Sequence, residues 1–330
     1  DLFRINLSHT NIDEFEPLVK ALRGWTDKQI CPDTEGAQLR TGILGGNQKN
    51  LNDINEIYLT GSINTNTDTD EVLVLNTENP GTIFHVGDVL NVDFDGATVQ
   101  IIEILSDAKV LARVIKGGFV GSNKGIAIDR PIFLPSFSEK DKEIILLAND
   151  LGLKTVFFSF CSVGNDVVSL REMFNYDIEV ISKVETRSAI KNLKEICRES
   201  DSILIDRGDL SRDVQLEKIS YAQSYIIDKA KIAKTPVFVA TNLMESMLEK
   251  SQPTRAEIND IVCTLNAGAS GLVLAAETAI GKYPIDAVRI LSNIIYENND
   301  TDQTDNYNNI FKFNSPILNE PHGGKLIQQY

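Results

Sequence analysis

The sequence predicts an α/β protein, a (β/α)8 TIM barrel with an inserted small all-β cap domain. Short β-branched and aromatic runs alternate with helix-length segments over most of the chain, and a repeated β-then-α pattern builds a parallel sheet with crossover helices. The 330 residues are enough for one such barrel plus an insertion. The stretch from Gly42 to Ile128 breaks the alternation; it is rich in Asn, Thr, Asp and Gly and carries only short strand patterns.

In chain order, the expected barrel strands are Leu2–Leu7, Lys28–Pro32, Lys154–Phe160, Ile178–Lys183, Ser202–Asp206, Pro236–Ala240 and Gly271–Ala275. Each is a 4–8-residue class of run closed by polar or charged residues. The later strands are separated by helical patterns at Thr186–Ser200, Asp213–Lys234, Thr254–Ala267 and Pro284–Asn298. Pro284 suits a first helical turn, and Ser138-Glu139-Lys140-Asp141 reads as a capping box. Within the insertion, Glu71–Leu75, Val89–Phe94, Val99–Leu105 and Val110–Ile115 have strand character. The expected division is therefore barrel 1–41, inserted β cap domain 42–128, barrel 129–298, and a polar, acidic linker and tail 299–330. Seven strands fall one short of a closed barrel. Either a first βα unit precedes Asp1 or another segment closes the sheet.

Composition narrows the chemistry. With 32 Lys+Arg against 47 Asp+Glu, the net charge of −15 repels phosphate backbones and anionic membrane surfaces. An anionic substrate must then be captured by a local cationic site. No run approaches the length of a membrane span and no leader pattern opens the chain, so a cytoplasmic protein is expected. Cys31, Cys161, Cys197 and Cys263 are widely spaced, which predicts inert core thiols rather than a zinc site or disulfide frame. Trp25 is expected to pack between strand and helix.

In a β/α barrel the chemistry sits where strands run into the following loops. The first strand offers Arg4, Asn6 and Ser8; the second leads to Asp33, Thr34 and Arg40. Further ends carry Lys183 with Glu185, Arg207-Gly208-Asp209, Thr241-Asn242 and Glu277-Thr278. Glu185 and Asp209 on neighbouring strands suit a hard divalent cation that keeps waters and takes one or two carboxylates. Lys183, two residues before Glu185, points to the same side, and Arg4 and Arg40 can clamp a phosphate. No Walker A pattern or well-placed dinucleotide fingerprint occurs.

These segments resemble pyruvate kinases, in the family's order. They are Arg4-Ile-Asn6-Leu-Ser8-His9, Asp33-Thr34-Glu35-Gly36-Ala37-Gln38-Leu39-Arg40, Phe133–Asp141, Ile181-Ser-Lys183-Val-Glu185, Asp206-Arg-Gly-Asp209-Leu210, Val239-Ala-Thr241, Pro253–Glu257 and Glu277–Pro284. The resemblance implies the glycolytic transfer of a phosphoryl group from phosphoenolpyruvate to ADP, giving pyruvate and ATP. It implies Mg2+ or Mn2+ on Glu185 and Asp209, and K+ on Asn6, Ser8, Asp33 and Thr34. Lys183, Arg4 and Thr241 take catalytic roles, with Thr241 concerned in protonating the enolate. Gly208 and Asp209 join them in substrate binding, and Arg40, His9 and Lys124 face the nucleotide.

The sequence departs from the family at Glu35, Ala37, Gln38, Cys161, Asp206 and Ile280. Asp206 replaces a small residue and adds a negative charge that, if turned inward, disfavours a trianionic substrate. Two alternatives therefore stand beside the kinase: a metal-dependent, aldolase-like enzyme of a related phospho-enol or 2-oxo acid, and a silent homologue that binds a metabolite. No counterpart of the family's C-terminal domain is present, so activation by a sugar phosphate is not expected and any homo-oligomer must form by another route.

Overall fold

Nearly every residue of the central strands is buried, and membership of the two apolar clusters alternates with a period of two, which sorts the sheet into two faces. In Ser202–Asp206, Ile203 and Ile205 pack in the large core beneath the helices, whereas Leu204 belongs to a small separate cluster with Leu2, Cys31, Phe157, Ile181, Phe238, Ala240 and Val273. The large core includes Ile5, Val156, Val180, Val184, Val237, Val239 and Leu272 from the sheet. It is completed by helix residues such as Phe15, Ile144, Leu170, Ile196, Ile226, Ile261 and Leu291. Filling both faces with apolar side chains is what a parallel sheet covered by helices requires. Each fully buried large side chain stabilises the fold by roughly 1.5–3 kcal/mol.

The computed structural model describes residues 2–36, 38–45, 48–61, 71–93, 96–128, 130, 132, 134–299 and 325–329. It divides into two units, residues 1–36 with 136–330, and residues 37–135. The first contains a curled parallel sheet of strands β1 (Leu2–Asn6), β2 (Gln29–Asp33), β3 (Thr155–Phe158), β4 (Glu179–Val184), β5 (Ser202–Asp206), β6 (Val237–Ala240), β7 (Gly271–Val273) and β8 (Lys325–Gln329). The strand order is β1-β8-β7-β6-β5-β4-β3-β2, and β1 also pairs with β2. Seven of these strands were expected. The eighth lies in the segment expected to be linker and tail: Lys325–Gln329 forms a strand parallel to both β7 and β1, with Leu2 opposite Ile327. Residues 300–324 lie outside the described residues.

Helix boundaries follow local chemistry. Ser138 accepts from Asp141 N while the Asp141 carboxylate accepts from Ser138 N, the predicted capping box at the start of Glu139–Asp150. Thr254 and Glu257 form another at Arg255–Ala267. The pattern at Thr186–Ser200 is two short helices, Arg187–Lys191 and Leu193–Glu199, with Asn192 between them. Helix Ile12–Trp25, with Pro17 inside it, fills the interval between β1 and β2. Trp25 ends that helix 76% exposed, so it does not pack between strand and helix. Cys263 is exposed, whereas Cys31, Cys161 and Cys197 are buried as expected.

The second unit is built on a six-stranded sheet, in the order Ile126–Ile128, Val89–Val92, Ala97–Ser106, Lys109–Lys116, Glu56–Gly61, Val72–Leu75, with a separate pair Gln48–Asn50 and Phe119–Gly121. It reaches beyond the expected 42–128 at both ends. Leu39 and Ile132 pack on its core, and Arg40 and Thr41 bridge to Gly125 and Leu75.

Candidate functional site

The concave face of the curled sheet changes character toward the carboxyl ends of its strands. On β1 the residues of one face run Leu2, Arg4, Asn6; on β2 they run Cys31, Asp33; beyond β3 they run Phe157, Ser159. On β4 and just past it they are Ile181, Lys183, Glu185, and on β5 Leu204, Asp206. The two-residue repeat of a strand thus stacks charged groups directly above an apolar plug. Arg4, Asp33, Lys183, Glu185 and Asp206 are all buried.

Lys183 is the hub. Its Nζ lies 2.8 Å from Glu185 Oε1, 3.3 Å from Asp206 Oδ2 and 3.5 Å from Asp33 Oδ1, and it donates to Ser159 Oγ at 3.1 Å. Ser159 Oγ in turn donates to Asp33 Oδ1 at 3.2 Å. Arg4 reaches the other oxygen of Asp33 at 3.4 Å, with its guanidinium carbon 5.6 Å from the centre of the Phe157 ring. Phe160 N donates to Glu185 Oε2 at 2.6 Å. Burial by itself pushes an ammonium down, but Asp33, Glu185 and Asp206 outweigh it and hold Lys183 charged. Burial, aided by Asp209 and Asp206 and opposed by Lys183, raises the Glu185 carboxyl. Asp206 goes the other way: burial raises it, but Lys183, Arg4 and the Thr241 hydroxyl together hold it low.

Glu185, Asp206 and Asp209 each offer an oxygen, all within 4.8 Å of one another. Hard carboxylate oxygens at this spacing fit a small divalent cation. The expected pair Glu185 and Asp209 is therefore joined by a third carboxylate, Asp206. Asp209 also pairs with Arg212 at 3.1 Å.

Thr241 follows β6 with φ +73°, and Asn242 has φ +55°. Two successive left-handed non-glycine residues, one of them β-branched, carry strain of about 1–3 kcal/mol each. The Thr241 hydroxyl donates to Asp206 Oδ1 at 2.7 Å. Gly208 is required here, since a Cβ on it would lie 2.8 Å from Thr241 Cγ2.

The candidates for the monovalent ion also adjoin. Asn6 stands opposite Asp33 in the β1–β2 register, Ser8 N donates to Asn6 Oδ1 at 2.9 Å, and Thr34 Oγ1 accepts from Ser159 N at 2.9 Å. His9 is exposed in the turn after β1, its N–H donating to Asn6 O. Arg40 and Lys124 belong to the second unit. There Arg40 Nη1 donates to Asn123 O, and Thr41 N to Lys124 O.

The sequence alone assigns no role to Ser159, whose hydroxyl bridges Lys183 and Asp33. Nor does it assign one to Arg207, whose guanidinium donates to the carbonyls of Thr241 and Asn242. The period-two repeat could have found the first, since Ser159 follows Phe157 on the same face. The second depends on a contact between loops and has no local signal.

A curled parallel sheet with helices on its outer face defines an α/β protein, and its cationic and acidic cluster lies at the carboxyl ends of the strands, where such folds carry their sites. The family described as pyruvate kinase, barrel domain, matches residues 1–288. Pyruvate kinase of Thermotoga maritima is 31% identical over 311 residues, covering 90% of this chain and 65% of the relative. Pyruvate kinase of Mycobacterium tuberculosis is 31% identical over 309 residues, 89% of this chain and 64% of the relative. Pyruvate kinase 1 of Saccharomyces cerevisiae is 28% identical, with 88% and 61% covered. The chain belongs to the pyruvate kinase family. It spans less than two thirds of the length of these relatives.

Proposed function

We propose that the chain is a pyruvate kinase-like phosphotransferase that moves a phosphoryl group between phosphoenolpyruvate and ADP, on a (β/α)8 barrel with the second unit as its cap domain. The observation that carries this reading is Lys183, buried and held charged among Asp33, Glu185 and Asp206 beside Arg4. A cation fixed at that point has no use as a surface pair; it is placed to meet a developing negative charge.

In this reading the P–O bond to the enol oxygen breaks as an oxygen of the ADP terminal phosphate bonds to phosphorus, in line. Lys183 and Arg4 hold the charge that spreads over the phosphoryl oxygens. Glu185 and Asp209 would hold a divalent ion, Mg2+ or Mn2+, which would supply Lewis-acid neutralisation of the negative charge that develops. The backbone N–H groups of Gly208 and Asp209 receive the substrate carboxylate. Thr241 stands at the carbon that takes up a proton as the enolate becomes pyruvate. Asn6, Ser8, Asp33 and Thr34 would hold K+, and Arg40, His9 and Lys124 would meet the nucleotide. The net charge of −15 supports a metabolite partner rather than nucleic acid or membrane. Among the described residues no helix is long and apolar enough to cross a membrane. A cytoplasmic location is proposed from the kinase reading itself.

Asp206 favours a second reading. Its carboxylate shares Lys183 and the acidic cluster, so a less highly charged 2-oxo acid is the alternative substrate class, as in a metal-dependent aldolase. Pyruvate formation from phosphoenolpyruvate with Mg2+ and K+, run with and without ADP and beside Lys183→Met, decides between them. ADP-dependent turnover lost in the variant supports the kinase. Folded protein that gives no turnover, and is not stabilised thermally by ADP, rejects it.

A further inference from the structure

Three successive residues at the end of β5 hold Thr241, each by a different part of it. Asp206 accepts its hydroxyl at 2.7 Å, and Gly208 leaves room for its methyl group. Arg207 takes its carbonyl, with Nε at 3.0 Å and Nη2 at 2.8 Å, and Nη2 also reaches Asn242 O at 2.9 Å. The remaining arm of the fork, Nη1, is fixed by Asp260 Oδ2 at 2.5 Å, from helix Arg255–Ala267. The carbonyls so gripped belong to the two residues at positive φ, +73° and +55°. A planar guanidinium can bind two successive carbonyls and a carboxylate at once, which an ammonium cannot. A left-handed threonine persists only where its surroundings over-determine it.

We infer that Arg207 is a positioning residue. It locks the Thr241–Asn242 turn so that the threonine hydroxyl faces the carboxylate cluster, and it thereby governs proton transfer at the substrate carbon separately from phosphoryl transfer. The catalytic half of this inference rests on the proposed pyruvate chemistry; the conformational half does not.

The test uses the full chain and the variants Arg207→Ala, Arg207→Lys and Arg207→Ala with Asn242→Gly. Amide hydrogen exchange of the segment following β6 is followed by mass spectrometry. Incorporation of deuterium into the methyl group of pyruvate, with Mg2+ and orthophosphate, is followed by NMR beside turnover of phosphoenolpyruvate with ADP. Arg207→Ala is expected to speed amide exchange of that segment selectively. It is also expected to slow methyl exchange by about 100-fold, the scale of a misplaced catalytic group, and phosphoryl transfer by much less. Arg207→Lys should fold as the parent does yet recover little methyl exchange. Asn242→Gly, which adopts positive φ at no steric cost, should return part of both losses. Equal slowing of the two reactions, unchanged amide exchange, or no recovery with glycine would each overturn the inference. If the parent chain catalyses neither reaction, the proposed function falls, and the amide-exchange arm with its glycine rescue still decides whether Arg207 holds the turn.

Discussion

Asp33, Glu185 and Asp206 all lie within 3.5 Å of Lys183 Nζ. Of these, Asp206 is held low, and so charged, by Lys183, Arg4 and the Thr241 hydroxyl against the cost of burial, and it adds a negative charge to the candidate site. Asp206→Ala is expected to tighten binding of phosphoenolpyruvate to the Mg2+-treated protein by about tenfold, the size of one moderately screened charge interaction. Pyruvate, with less charge, should gain less, and calorimetric titration of both ligands checks the difference. Glu185 yields a pH prediction. An acid whose pKa is raised on folding favours the folded state while protonated, and costs stability as pH climbs through the raised value. A bound cation needs the carboxylate and removes that cost. Thermal stabilisation by Mg2+ should therefore grow as pH rises from the ordinary carboxylate range toward neutrality and above, and Glu185→Gln should flatten the trend. A constant shift across that range would contradict the assignment of Glu185 as a ligand.

At the scale of elements, the exit of β2 is held by a helix start. The carboxylate of buried Asp141 accepts from Glu35 N at 2.7 Å and Gly36 N at 3.0 Å while also closing its own capping box. Asp141→Ala leaves two N–H groups beyond β2 without an acceptor, at roughly 1–3 kcal/mol each, so about 3 kcal/mol should be lost in denaturant unfolding. Thr254→Ala removes a more exposed cap and should cost only ~1 kcal/mol. Both caps could be read directly from Ser138-x-x-Asp141 and Thr254-x-x-Glu257, because a cap is a property of four adjacent residues. Seven of the eight strands of the sheet were equally legible, since two-sided burial forces continuous apolar runs, and their alternation placed Arg4, Asp33, Lys183 and Glu185 on one face. The three-residue strands Gln48–Asn50 and Ile126–Ile128 were not, being too short to show a period. Nor was the grip of Arg207 on Thr241, which depends on which loops meet, a tertiary matter that no local pattern records.

Over the whole molecule, the sheet depends on its least expected strand. Deleting 325–330 would leave β1 and β7 each with an unpaired edge, which invites pairing with other chains. A lower midpoint of thermal unfolding and concentration-dependent association are expected, both measurable by scattering during a melt. An unchanged midpoint with a monomeric product would mean that β8 adds nothing to stability.

The register that sets Leu2 beside Ile327 also has a consequence for biosynthesis. A ribosome makes β8 more than three hundred residues after β1, so β1 waits, with one flank open, for a partner that does not yet exist. Closure is then a late event of very long sequence separation, slow by nature and exposed to misassembly in the interval. A stop between β7 and β8 would leave β1 and β7 each without the strand that lies between them.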